Sequence, residues 1–170
     1  MSTQRRRAWL LALALALTTI GCDRVTKHAA SASLRGTPRR SYLADTVRLE
    51  YVENPGGFLS LGAQLPRRWR VLVFDVGTGL ILAVTVLLAV RRRVPLQELA
   101  GAALICAGGA SNLLDRTLRG SVVDFLNVGI GGLRTGIFNL ADVAILAGIG
   151  LVVWRRARDA RSEDGACPRA

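Results

Sequence analysis

The chain has 170 residues, 51% of them hydrophobic and only 5% aromatic, and its 23 Lys and Arg against 12 Asp and Glu give a formal net charge of +11. The apolar residues fall into blocks with arginines at the block edges, whereas a soluble domain alternates polar and apolar faces and a nucleic-acid binder spreads its arginines along one surface. The pattern therefore argues against a soluble basic protein or a nucleic-acid partner and points to a helical protein that crosses a membrane several times.

A hydrocarbon core of about 30 Å takes about 20 helical residues. Four stretches reach or approach that length: 8–22 after the arginines at 5–7, 71–90 between "RRWR" and "RRR", 96–114 up to Asp115, and 137–154 before "RRAR". The first is short and needs residues from its flanks. Its "TTIGC" also has the form of a lipoprotein signal, but a cleaved leader would not need three further spans, so an uncleaved span is the preferred reading. With four spans the arginines at 5–7, 91–93 and 155–158 share one side, which the positive-inside rule makes cytoplasmic. Both termini are then inside, and the segments 23–70 and 115–136 lie outside.

Within the first outer segment, "TVRLEYVEN" alternates Val47, Leu49 and Tyr51 with Arg48 and Glu50, the period of a strand. "NPGG" at 54–57 then turns the chain. Four glycines between Asn127 and Gly136 read as a flexible or tightly turning connection, and in the flexible case as hinges that gate access. Residues 157–170 mix charge with Gly and Pro and read as a disordered cytoplasmic tail. The expected architecture is an all-α membrane protein of four transmembrane helices, one domain over residues 1–156, with a small extracytoplasmic β element and loop region. Cys22, Cys106 and Cys167 show no CxxC and have one histidine, His28, for company, so neither a zinc site nor a disulfide framework is expected.

Carboxylates near a bilayer are costly unless paired or used. Asp23, Asp115, Asp124 and Asp142 all fall at or beyond the outer ends of spans. Asn112 and Asp115 share one helix face, as do Asn139 and Asp142, so two polar faces can meet at one membrane level, either as a wet pocket or as interhelical glue. Asp23 and Lys27 have the i, i+4 spacing of a helical ion pair. Arg116 is placed either to anchor at the interface or to grip a carbonyl, with Asp115 orienting it. Asp75, about a turn into the second span, reads as a local partner of Arg68 or Arg70. A transporter or proton path would run polar residues through the full membrane depth, and here they crowd one end. A metal-dependent lipid phosphotransferase would need a further aspartate where Val128 stands.

Five motifs in order then give a resemblance. "DRVTK" at 23–27, "NPGG" at 54–57, "GGASNLLDR" at 108–116, "GSVVDF" at 120–125 and "FNLADVAI" at 138–145 are similar to motifs of the lipoprotein signal peptidases, or signal peptidase II, aspartyl proteases of the bacterial inner membrane. The chain departs from the family pattern at Ser111, at Gly57 and at Phe58, changes that bear on how substrate side chains are held. The resemblance implies Asp124 and Asp142 as the catalytic pair. It implies Asn54, Gly56, Asn112, Arg116 and Asn139 as substrate-binding residues, with Asp23, Lys27 and Asp115 in support. It implies no metal or cofactor, a diacylglyceryl-modified prolipoprotein as substrate met within membrane lipid, and a monomer that cuts before the lipidated cysteine at the extracytoplasmic face.

Overall fold

A computed structural model of the chain describes residues 2–57, 61–92 and 94–164. Four long helices and a four-stranded antiparallel sheet make up the molecule. Helix α1 spans Thr3–Leu34, 32 residues, with Ser2 as its N-cap. It runs without a break through Cys22 and is far longer than the expected span of 8–22. The extension follows from a buried stripe at Asp23, Lys27, Ala30 and Leu34, spaced i, i+4, i+7, i+11, which holds the outer turns against the rest of the bundle.

Helix α2, Arg67–Arg91, opens with one α-helical turn, widens to π geometry over Val71–Val76 and returns to α geometry from Gly77. Helix α3 is Leu96–Arg119 and helix α4 is Leu140–Asp164. By length and hydropathy, α1 and α2 qualify as membrane spans. The other two are diluted: α3 carries Gln97, Glu98, Ser111 and Asn112 among its glycines, and α4 is bracketed by Asp142 and Arg155. The expected tail begins too early, because α4 continues as helix through residues 157–164; residues 165–170 lie outside the described residues.

The sheet is a meander in the order β1 (Arg40–Tyr42), β2 (Val47–Asn54), β3 (Val122–Ile130) and β4 (Leu133–Arg134). Strand β2 falls where the period-two pattern put it. The glycine-rich stretch takes the tightly turning form rather than the flexible one. Residues 127–130 finish β3, Gly131 takes a left-handed φ of +55° at the turn, and β4 pairs back onto β3. Asn127 and Arg134 pin this hairpin, Arg134 Nε donating to Asn127 Oδ1 at 2.6 Å and Arg134 Nη1 to the Asp45 carbonyl at 2.7 Å. The small β element the sequence suggested is thus a four-stranded sheet, and the glycine-rich stretch is a held hairpin within it.

The exterior is oily: Leu10, Leu11, Leu13 and Leu17 on α1 and Leu80 and Ile81 on α2 are all exposed. An apolar surface of this extent belongs in lipid. Inside, α3 and α4 make the most extensive helix–helix interface. Glycines let their backbones close in: a Cβ on Gly148 would stand 2.6 Å from the Gly101 carbonyl oxygen, and one on Gly101 would stand 2.8 Å from that of Gly148. Gly150 faces open space. Gly148→Ala is thus expected to lower stability by about 1–3 kcal/mol through overpacking, while Gly150→Ala leaves it unchanged or slightly raised; thermal unfolding of both variants in micelles compares them.

Candidate active site

The site is built from the C-terminal half of α1, the C-terminal end of α3, the N-terminal end of α4 and the strand pair β2–β3. The Lys27 ammonium lies among three acceptors: Asn112 Oδ1 at 2.7 Å, Asp23 Oδ2 at 2.8 Å and Asp115 Oδ2 at 2.9 Å. The ammonium donates to Asn112 and forms ion pairs with both carboxylates. Asp115 also pairs with Arg24 through Oδ1. Two carboxylates and two cations balance in a cluster where Asp23 and Asp115 are 0% exposed and Lys27 is 2% exposed. Ser111 Oγ donates to Asp23 Oδ2 at 2.6 Å. The other Asp23 oxygen accepts the backbone N–H of Ala141 at 2.8 Å, so a carboxylate of α1 satisfies an orphan donor in the first turn of α4.

The start of α4 carries a reciprocal cap. Asp142 N donates to Asn139 Oδ1 at 3.1 Å, and Asn139 N donates to Asp142 Oδ2 at 3.1 Å, the capping-box geometry with Asn and Asp in its two positions. The same Asn139 side chain, itself 0% exposed, donates from Nδ2 to Asp124 Oδ1 at 2.6 Å and to Asn112 Oδ1 at 3.2 Å. One residue therefore touches both aspartates. Asn112 Nδ2 holds the remaining Asp142 oxygen at 2.9 Å.

Asp124 reaches this point from the sheet. In the β2–β3 register Asn54 lies opposite Val122 and Asp124 opposite Val52, which makes Asn54 and Asp124 diagonal neighbours on one face. Asn54 Nδ2 donates to Asp124 Oδ2 at 2.9 Å and to the Gly57 carbonyl at 3.0 Å, while Asn54 Oδ1 accepts the Gly56 N–H at 2.9 Å. The strand begins there because α3 ends at Gly120, whose φ of +76° closes the helix with its N–H on the Arg116 carbonyl at 2.8 Å.

Asn54 and Asn139 have thus used both of their side-chain N–H donors, and Asn112 keeps one N–H. The sequence cast all three as substrate ligands; the geometry has them hold the carboxylates. Asp115 does not orient Arg116, since both of its oxygens face Arg24 and Lys27. Arg116 instead donates from Nη2 to the Gly56 carbonyl at 3.1 Å, lies over the Phe74 ring, and leaves a buried Nε without a partner among the described residues. Nor does Asp75 pair with Arg68 or Arg70 among the described residues. Its charge acts on Arg116, as do those of Asp142, Asp124 and Asp115. The reach of Phe74 and Asp75 toward Arg116 was not legible in the sequence, because the loop that carries α2 to the site has no periodic signal.

Asn54, Gly57, Asn112, Arg116, Val122, Asp124 and Asp142 line a cavity of about 10 Å³ between the aspartates, close to the least room one water molecule needs. The Asp124 carboxyl is pushed up from its ordinary 3.8 to about 6, first by burial and then by the charge of Asp142, against the hydrogen bonds from Asn54 and Asn139. Two carboxyl groups in one small polar cavity, one with its proton held to near neutrality, form a general acid–base pair in outline. Among the described residues no three His, Cys, Asp or Glu side chains are grouped to hold a metal ion.

Residues 15–158 match the family model described as Signal peptidase (SPase) II. The chain belongs to the signal peptidase II family. It is 32% identical over 145 residues to a lipoprotein signal peptidase of Moorella thermoacetica, covering 84% of this chain and 90% of that protein. It is likewise 32% identical over 159 residues to one from an Azoarcus species, covering 92% and 88%. Two solved structures described as bacterial membrane enzymes share the fold, with TM-scores of 0.79 and 0.77 at 24% identity. The matches cover 88% of this chain in both cases, and 89% and 94% of theirs. The chain is thus a membrane-embedded bacterial protease of this family.

Two departures from the signal peptidase II motifs find places here. Ser111 belongs to the buried ion cluster rather than to a surface that meets substrate. Gly57 leaves room for the Phe74 ring, whose Cε1 would lie 2.5 Å from a Cβ at that position. Phe58 lies outside the described residues.

Lys27→Met leaves two buried carboxylates with one cation and is expected to destabilise the fold by about 3–5 kcal/mol, read as a lower unfolding midpoint in micelles. Asp124 adds a pH dependence of defined sign. Its folded pKa lies above its unfolded one, so the folded state holds the extra proton and stability falls as pH rises from 3.8 to about 6. The full loss is about 3 kcal/mol at 1.36 kcal/mol per unit. Denaturation at pH 4 and pH 7 should show this slope in the wild type and a shallower one in Asp124→Asn.

Proposed function

We propose that the chain is an aspartic endopeptidase that removes signal peptides from diacylglyceryl-modified prolipoproteins, cutting before the lipidated cysteine, with Asp124 and Asp142 as its catalytic pair. The observation that carries this reading is the Asn139 bridge. Its side chain holds Asp124 and its backbone N–H holds Asp142, at 2.6 Å and 3.1 Å, across a cavity that both carboxyl groups line.

Hydrolysis of a peptide bond requires a base to take a proton from water and an acid to protonate the carbonyl oxygen. Like charges in one cavity resist double ionisation, so the pair holds one proton and titrates as a unit. The ionised member then acts as base and the protonated one as acid. Asn54, Asn112 and Asn139 fix the carboxyl groups so that little reorganisation is needed. Arg116, with Nε unpaired among the described residues, supplies N–H donors for a substrate carbonyl, and Gly56 lets substrate backbone approach.

The topology of this reading is four spans with both termini cytoplasmic and the aspartates at the extracytoplasmic face. Arg5 Nη2 donates to the Val90 carbonyl at 3.1 Å, so the arginine-rich start of α1 meets the arginine-rich end of α2. Asp23 follows Arg7 by sixteen residues on one continuous helix, about 24 Å at 1.5 Å per residue and close to a hydrocarbon thickness. Arginines and aspartates then occupy opposite interfaces. A lipid-anchored substrate slides in from the bilayer and presents its scissile bond at one depth, which supplies much of the orientation catalysis needs. The chain acts alone, without metal or cofactor.

Purified protein in micelles should cleave a diacylglyceryl-modified prolipoprotein, and should cleave the unlipidated precursor far more slowly. Asp124→Asn and Asp142→Asn should each lower turnover by about 10²–10⁴-fold or more. Undiminished turnover in either variant overturns the pair.

A further inference from the structure

A second cavity, of about 710 Å³, opens at the end of the bundle away from the aspartates, between α1, α2 and α3. Its size is that of a site for a substantial organic ligand. Arg5, Arg7 and Arg92 stand around it, while Trp9, Leu11 and Leu99 give it an apolar wall. No carboxylate is among its lining residues. Trp9 precedes Asp23 by fourteen residues along α1, about 21 Å at 1.5 Å per residue, so the cavity shares nothing with the catalytic cluster.

The charges around this cavity lack the balance found at the other end of the molecule. At the outer end, Lys27 and Arg24 meet Asp23 and Asp115. Here Arg5 bonds a backbone carbonyl, that of Val90, and Arg7 and Arg92 have no ion-pair partner among the described residues. Helix α3 also begins here. Its N-cap is Pro95, which offers no side-chain acceptor to the first-turn N–H groups, while Glu98 in that turn lies outside the cavity lining.

The apolar part continues outward. Leu11 is 61% exposed and Leu96 is 52% exposed, on a molecule whose outer surface faces lipid. A ligand complementary to the whole feature carries an anionic head for the arginines and a hydrocarbon part for the leucines. It is also present wherever the protein is. We propose that this cavity is a binding site for an anionic phospholipid, with the phosphate among Arg5, Arg7 and Arg92 and the upper acyl chain against Leu11 and Leu99. Basic pockets between membrane helices suit such headgroups on general electrostatic grounds. The proposal requires only that the chain is membrane-embedded and is independent of the catalytic pair.

The test counts lipid retained on the detergent-purified full chain by native mass spectrometry. The probes are palmitoyl-oleoyl phosphatidylglycerol and the phosphatidylcholine with the same chains. Phosphatidylglycerol should be retained at least ten-fold more strongly. The triple variant Arg5→Gln, Arg7→Gln, Arg92→Gln should lose that preference. A control of equal charge change, Arg155→Gln, Arg156→Gln, Arg158→Gln, should keep it. The exposed single variants Arg7→Gln and Arg92→Gln should each weaken retention about three-fold, which guards against misfolding of the triple variant. Equal retention of both lipids overturns the proposal, as does equal loss in the control. Displacement by glycerol 3-phosphate at the lipid's own concentration also overturns it, since a soluble anion would then suffice. Running the assay on Asp124→Asn separates this result from the fate of the peptidase reading.

Discussion

The arrangement of the outer half of this molecule depends on one buried ammonium group. Lys27 gathers Asp23 from its own helix and Asp115 and Asn112 from α3. Asp23 then reaches α4 by accepting the Ala141 N–H. Three helices are thereby fixed at one level by charge-assisted contacts in a place where water is scarce. Such a cluster is weak as a source of stability, because desolvation offsets most of the Coulomb gain, but its geometry is demanding. It specifies register: any axial slip of α1 or α3 would separate charges that have nowhere else to go.

The aspartates inherit that register. Asn112 touches Lys27 through its oxygen and Asp142 through its nitrogen, so the ion cluster and the carboxyl pair share a side chain. Asn139 continues the chain of contacts to Asp124. Asp124 itself arrives by a different route, on a strand whose partner supplies Asn54. The pair thus combines a helix-borne carboxylate, fixed by a cap, with a strand-borne one, fixed by a diagonal neighbour. Amide groups make the direct contacts to both carboxyl groups, and burial raises the Asp124 pKa to about 6.

The two ends of the bundle treat charge in opposite ways. The outer end balances its cations with carboxylates and leaves a cavity of water size. Among the described residues, the arginine-rich end leaves Arg7 and Arg92 without ion-pair partners around a much larger, partly apolar space. In a membrane this asymmetry orients the protein.

Much of this was legible in the chain itself. Segregated apolar blocks determine a helical membrane protein, and five spaced motifs bring out the aspartates and the family. The i, i+4 spacing of Asp23 and Lys27 gives their pairing, and the alternation over residues 47–51 gives β2. Local signals of this kind suffice because each depends on residues a turn or a pleat apart. The partners of Asp115 and Arg116 lay beyond such signals. Sequence adjacency made them look like a pair, whereas helix geometry turns neighbouring side chains about 100° apart, so Asp115 faces α1 and Arg116 faces the loop after β2. The glycines at 129–132 looked flexible because the strand pairing that holds them comes from distant residues, Asp45 and Thr46. The sequence alone determined the family and put the four carboxylates at the ends of the apolar blocks. Only the tertiary structure decided which of them touch, because contacts between elements depend on helix rotation and strand register, quantities that no local pattern encodes.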